Sequence, residues 1–244
     1  MQLADRIENV ERRLQDACLR SGRMRADIQV IAVTKYVETA VAQDVLRAGY
    51  VHLGENRWQH AEEKWRAISS DPALESDEAN HRRQAVWHFI GSLQTNKVKD
   101  VVGKFSYIHS LDRESLASAL DKRAAQLDIT VPCFIQVNVS GEEAKQGLAP
   151  EQLPAFVAGM RQFPNLAVAG LMTMAPFEAE PEQTRPVFRG LRELRDDLNK
   201  QAILPNPILG LSMGMSNDFE VAVEEGATWL RLGTVLVGKK EEKS

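Results

Sequence analysis

Only two cysteines, Cys18 and Cys133, occur in 244 residues. One falls on an apolar helical face and the other in a strand-like run. A structural disulfide is therefore not expected, and the pattern suits a reducing cytoplasm. No histidine–cysteine grouping has metal-ligand spacing, so no metal centre is expected either. No apolar run approaches the ~18 residues that cross a bilayer. A secretory leader is not expected either, because Asp5, Glu8, Glu11 and Asp16 interrupt the N-terminal apolar positions. Charge of one sign is also lacking. The formal net charge is −4, which gives no electrostatic reason to expect nucleic acid or an anionic membrane as partner.

What is present is a rhythm. Short apolar runs alternate with amphipathic patterns, the mark of a parallel sheet with helical crossovers. Strands are expected at 28–34, 50–53, 86–90, 105–109, 131–139, 166–173, 207–211 and 228–232. Eight strands close a barrel, and a single (β/α)8 barrel typically takes about 250 residues. The expected fold is thus α/β, one (β/α)8 TIM-type barrel domain over residues 1–244 with an extra N-terminal helix. That helix covers 1–22, with Leu3, Ile7, Val10, Leu14 and Cys18 inward. It fills the place in the outer ring left by the little chain that follows the last strand. An open doubly wound sheet is the rival architecture. Residues 69–85 are polar and aperiodic and read as an insertion loop on the N-terminal face, away from the chemistry, although Arg82 and Arg83 offer charge. Residues 239–244 read as a polar tail.

The chain is organised around residues 28–36, a β-branched strand ending in Lys35. Strand alternation puts Ile31, Val33 and Lys35 on one face. A lysine at the C-terminal end of a barrel strand stands where barrels keep their active sites. Desolvated, its neutral amine attacks carbonyls. The plain alternative is a lysine snorkelling into water. After strands 7 and 8 come Ser212-Met-Gly-Met-Ser216 and Gly233-Thr234. These offer hydroxyls and backbone N–H groups beside a helix start, a common phosphate site. Two small turns are the plain alternative. Arg231 shares a strand face with Trp229 and, if buried, needs an acceptor, either a ligand or a salt bridge to Glu55. In a closed barrel strand 8 neighbours strand 1, so a lysine, a phosphate site and an arginine meet. A phosphorylated aldehyde fits them, and pyridoxal 5′-phosphate (PLP) is the common one. An arginine only donates, so a ring nitrogen facing it stays unprotonated and the cofactor becomes a weak electron sink.

At the level of motifs the chain resembles the YggS/PROSC-type PLP-binding proteins, also called PLP homeostasis proteins. The matching stretches are Ala32-Val-Thr-Lys35, Gly54-Glu-Asn56, His88-Phe-Ile-Gly91-Ser-Leu-Gln94-Thr-Asn96-Lys97, Asn138-Val-Ser-Gly141, Gly170-Leu-Met-Thr-Met174, Leu211-Ser-Met-Gly-Met-Ser216 and Arg231-Leu-Gly-Thr234. The resemblance implies a fold-type III barrel similar to the N-terminal domain of alanine racemase, with a Schiff base on Lys35. It further implies phosphate held by Ser212, Gly233 and Thr234, and Arg231 facing the pyridine nitrogen. Asn56 would face the ring hydroxyl, and Met172 and Met213 would line the pocket. Tyr36 departs from the small or polar residue common in relatives, and its side chain is expected to point away from the interior.

Other residues carry less. Lys145, in the loop after strand 5 on the active face, reads as a solvated loop lysine, with an approach to the cofactor or a partner as the alternative. Lys97 sits in a first helical turn, where a cation hints at a nearby anion. His88 reads as a neutral core histidine. A racemase needs an acid/base on each face of the cofactor adduct. Tyr36, Tyr50 and Tyr107 are the chain's tyrosines, none expected over the mouth, and no second β domain is expected. The reading is therefore a cytoplasmic, monomeric PLP-binding protein without a dedicated reaction. It holds, buffers or delivers the cofactor to PLP-dependent apo-enzymes and so affects amino-acid and keto-acid metabolism. The alternative is a fold-type III enzyme, a racemase or weak lyase. A Schiff-base aldolase of phosphosugars is a third reading.

Overall fold

Eight parallel strands close into a barrel in chain order. They are β1 (Gln29–Val33), β2 (His52–Glu55), β3 (Val86–Phe89), β4 (Tyr107–Leu111), β5 (Val131–Gln136), β6 (Leu166–Met172), β7 (Gly210–Ser212) and β8 (Trp229–Leu232). The computed structural model describes residues 2–71, 84–142, 144–176 and 178–238. Most of the expected 69–85 insertion and all of the 239–244 tail lie outside the described residues.

Around the barrel run α1 (Leu3–Ser21), α2 (Thr39–Arg47), α3 (Trp58–Ser69), α4 (Val98–Val101), α5 (Glu114–Gln126), α6 (Leu153–Gly159), α7 (Arg185–Lys200), α8 (Phe219–Glu224) and α9 (Thr234–Val237). The expected N-terminal helix is α1. It buries Val10, Leu14, Ala17 and Cys18 and ends at Gly22, whose φ of 66° suits a residue without Cβ. It packs on α8 and α9. Arg13 forms a two-bond pair with Glu220, both bonds at 2.7 Å, and Arg6 Nε donates to the Leu236 carbonyl at 2.9 Å.

Strand ends shift by up to three residues from the sequence reading, and at two of them the reason is visible. Residues 207–209 do not join β7, because the Asn199 side chain takes both backbone groups of Ile208, each at 2.8 Å, and Arg195 donates to the Leu209 carbonyl at 3.2 Å. β5 stops at Gln136, after which Val137 bridges Leu148.

Register separates the barrel's two faces. Val30 and Ala32 join the apolar layer between strands and helices. Ile31 is in register with His52 and Arg231 and faces the interior with them. Barrel interiors are usually filled by Val, Ile and Leu, but this one is filled largely by rings. Trp229 lies 5.1 Å from His88 and 5.4 Å from Tyr107 between ring centroids. Phe134 fits because Gly170 and Gly210 lack side chains. A Cβ on either would fall 2.5 or 2.7 Å from its ring.

Candidate functional site

The turn after β1 presents Lys35. The strand ends at Val33, so the pleat that would group Lys35 with Ile31 and Val33 stops short and the turn places it instead. Val37 N–H donates to the Thr34 carbonyl at 3.1 Å to close that turn. Beneath it is a buried cluster. Lys64 Nζ donates to the carbonyls of Thr34 at 2.6 Å and Val37 at 3.3 Å and pairs with Glu55 Oε1 at 2.8 Å. Thr34 Oγ1 donates to the same carboxylate oxygen at 2.7 Å. Lys35 itself is half-buried, with its Nζ 4.9 Å from the centre of the exposed Tyr36 ring.

One strand away, Arg231 is 5% exposed. It donates to Ser212 Oγ at 2.7 Å and to the Thr173 carbonyl at 2.9 Å. The salt bridge to Glu55 weighed from the sequence is not formed, since Glu55 is committed to Lys64 on the barrel's outer side. Burial pushes the guanidinium down to about 10, with the nearby Asp218 charge working the other way. It remains a cation at neutral pH, and therefore a donor.

The loops after β7 and β8 are joined by Ser216, whose Oγ accepts from Gly233 N–H at 3.2 Å and Val235 N–H at 3.4 Å. Thr234 is exposed beside them. Ser212, also nominated for phosphate, is fully buried with its hydroxyl between Arg231 and His109. Met172 is in register with Ser212 and shares its inward face. Met213 is fully buried in the outer apolar layer. Asn56 follows β2, and its Oδ1 is buried without a hydrogen-bond partner. Its backbone passes so close to Gly91 that a Cβ there would lie 2.3 Å from the Asn56 carbonyl oxygen. Glycine is required at that crossing.

Lys145 ties the loop after β5 to the neighbouring loop after β6. It pairs with Glu142, and its Nζ donates to the Met174 carbonyl at 3.4 Å. Lys97 lines a cavity of about 360 Å³ beside the mouth, with Asn56, Arg57 and Gln94. His88 is the buried, hydrogen-bonded histidine expected, held well below its usual range chiefly by burial. Sequence reasoning missed Lys64, Thr173, His52 and His109. Lys64 left a signal, since it falls on the inward helical spacing of Ala61 and Ile68. Among the described residues no group of His, Cys, Asp and Glu could hold a metal ion, and no helix is long and apolar enough to cross a membrane.

Residues 14–241 match the family described as alanine racemase, N-terminal domain. The pyridoxal phosphate homeostasis protein of Aquifex aeolicus is 44% identical over 241 residues, which cover 99% of this chain and 100% of that one. Its Pseudomonas aeruginosa namesake is 38% identical, covering 98% of this chain and 96% of the relative. The chain belongs to the pyridoxal phosphate homeostasis proteins.

Solved structures agree. PipY of Synechococcus elongatus, described with PLP bound, superposes with a TM-score of 0.80 at 32% identity, covering 97% of this chain and 100% of PipY. Clostridium difficile alanine racemase shares the fold alone, with a TM-score of 0.71 at 12% identity over 98% of this chain and 58% of the enzyme. In this homeostasis-protein barrel, Lys35, Asn56, Arg231, Gly233 and Thr234 all lie at the C-terminal ends of strands or just beyond them.

Proposed function

We propose that this protein binds PLP as a Schiff base on Lys35 and acts in intracellular PLP homeostasis, holding the cofactor and passing it to PLP-dependent apo-enzymes, without a dedicated reaction of its own. The observation that carries this reading is the pairing of an anchored lysine turn with a donor-only arginine on the adjoining strand. The unpartnered Asn56 Oδ1 beside them fits the ring hydroxyl. PLP, when bound, supplies an electron sink. The residues around it limit that sink. Arg231 already gives hydrogen bonds to Ser212 and Thr173 and has only further N–H groups to aim at the ring nitrogen. Gly233 and Thr234 hold phosphate, with Ser216 orienting their loop. The resemblance adds Met172 to the pocket wall; its nominations of Ser212 and Met213 are not adopted, because the Ser212 hydroxyl is taken up between Arg231 and His109 and Met213 is fully buried in the apolar core.

The same reading makes the protein cytoplasmic and monomeric. Among the described residues, two of the tyrosines are already engaged and do not offer the racemase alternative a second acid/base. Tyr50 is bound to Glu11 at 2.6 Å, and Tyr107 is stacked on His88 in the interior. The test mixes PLP-loaded protein with a PLP-requiring apo-enzyme, and separately with L-amino acids in D2O. Recovery of the apo-enzyme's activity with negligible α-deuterium incorporation is expected. Steady α-exchange at enzymatic rates with no transfer would favour the enzyme reading.

A further inference from the structure

A chain of buried hydrogen bonds crosses the barrel from Arg231 to its opposite end. Arg231 donates to Ser212 Oγ, which lies 2.9 Å from His109 Nδ1. His109 Nε2 lies 2.9 Å from His88 Nδ1, and His88 Nε2 lies 3.0 Å from His52 Nδ1. His88, His109 and Ser212 are completely buried. His52 is half-buried at the start of β2, in a cavity of about 400 Å³ at the N-terminal end of the strands, with Glu11, Arg25 and Tyr50.

The direction of this chain is fixed at one end. A guanidinium only donates, so Ser212 Oγ accepts from Arg231. Among the described residues the other partner of that hydroxyl is His109, and the hydroxyl hydrogen is satisfied only when it is directed to His109 Nδ1. His109 then carries its proton on Nε2 and donates to His88. By the same step His88 carries its proton on Nε2 and donates to His52 Nδ1. One arginine thus sets the tautomer of the next two imidazoles and the role of the third.

We propose that His109, His88 and His52 are positioning residues for Arg231, acting through Ser212, and that they make its setting depend on protonation at the far end of the barrel. The proposal rests on the reading of Arg231 as the group that faces the bound ring. A proton taken up at His52 Nδ1 turns an acceptor into a donor aimed at the N–H of His88. The bond is restored only if His88 and His109 each move their proton from Nε2 to Nδ1. Each keeps one proton, so the single proton gained resides on His52. His109 then donates to Ser212, whose own hydrogen loses its acceptor and whose oxygen must serve both His109 and Arg231.

The surroundings favour the change starting at His52. Around His88 and His109 lie rings, namely Tyr107 stacked at 4.7 Å on the first and Phe134 stacked at 4.3 Å on the second, with Trp229 at 5.1 Å from His88. Burial keeps both histidines neutral, and the Arg231 charge adds to this at His109. Asp218 is the acidic group felt at the Arg231 end. At the other end His52 faces Trp229 at 5.0 Å and shares its cavity with the ion-paired Glu11 and Arg25 and with Tyr50, itself bound to Glu11.

The first test is a long-range proton–nitrogen NMR spectrum of histidine-labelled, cofactor-free protein across pH. At neutral pH His88 and His109 are expected as Nε2–H tautomers, and both change tautomer with the midpoint of His52 protonation. His52→Gln keeps an acceptor without a titrating group, so in that variant the inner rings are expected to stay Nε2–H throughout. An Nδ1–H tautomer at His109 at neutral pH, or inner rings indifferent to His52 titration, would overturn the proposal. The second test follows absorption and retention of bound PLP. Retention is expected to weaken about tenfold below the His52 midpoint, the scale of one buried hydrogen bond, and this acid step disappears in His52→Gln. A step that persists in His52→Gln also overturns the proposal. Protein with the expected tautomers that takes up no PLP would overturn the cofactor reading and leave the hydrogen-bond chain standing.

Discussion

Lys64 Nζ donates to the carbonyl of Thr34 at 2.6 Å, directly before Lys35 in the chain. The same ammonium reaches the Val37 carbonyl, on the other side of Lys35, and the carboxylate of Glu55. One buried cation therefore brackets the turn that presents Lys35 and ties it to β2. A group of this kind is more damaging to remove than it is stabilising to have, because its partners stay behind.

Lys64→Met is expected to leave the Glu55 carboxylate without its cation and to strip the ammonium from the Thr34 and Val37 carbonyls, the first of which keeps Val37 N–H, and so to cost about 3–5 kcal/mol in urea unfolding. Adding Glu55→Gln removes the stranded charge and should recover part of that loss. Unchanged stability in the single variant would contradict the bracket.

The interior histidines predict an acid-sensitive fold. Their folded-state pKa values lie well below the ordinary 6.5. Above that value both states are neutral and the two groups have no effect. Below it the unfolded chain binds protons that the folded chain does not, so stability falls with pH by up to roughly 1.4 kcal/mol per pH unit for each histidine. The loss ends once pH passes below the folded values. Denaturant midpoints measured between pH 7 and 5 should show this slope, and His88→Gln should reduce it. A flat profile over that window would count against two neutral buried imidazoles.

The role proposed for Arg231 is testable by reversing its hydrogen-bonding character. Arg231→Glu replaces a donor by an acceptor that can stabilise a protonated ring nitrogen, strengthening the electron sink. The variant is expected to gain α-deuterium exchange on amino acids, measured by proton NMR, while Arg231→Lys is not. Equal exchange in both variants would argue against a role for the ring-nitrogen contact.

The barrel was legible in the sequence because its strand runs are short, apolar and regularly separated by helical spacing. Lys35 was legible because a cation ends such a run, and Arg231 because it alternates with Trp229. The Gly233-Thr234 loop was legible as a small turn offering N–H groups and a hydroxyl, whereas Asn56 was named by resemblance. What could not be read is set by contacts between distant segments. Glu55 was weighed as a partner for Arg231, yet alternation points Gly54 inward and Glu55 outward to Lys64 on α3. The hydroxyls of Ser212, which ends β7, and Ser216, in the loop after it, are four residues apart and do different things. One is locked between His109 and Arg231, and the other joins the β7 and β8 loops. The line from His52 to Arg231 draws on five strands, since His52, His88, His109, Ser212 and Arg231 come from β2, β3, β4, β7 and β8. No local pattern announces it.

The most direct measurement is the visible absorption of the protein and of Lys35→Ala on addition of PLP, before and after borohydride, followed by mass mapping of the modified peptide. The account predicts a coloured adduct that reduction fixes onto Lys35 and that Lys35→Ala does not form. A wild-type protein that stays colourless with PLP, or an adduct formed equally well in Lys35→Ala, would contradict it.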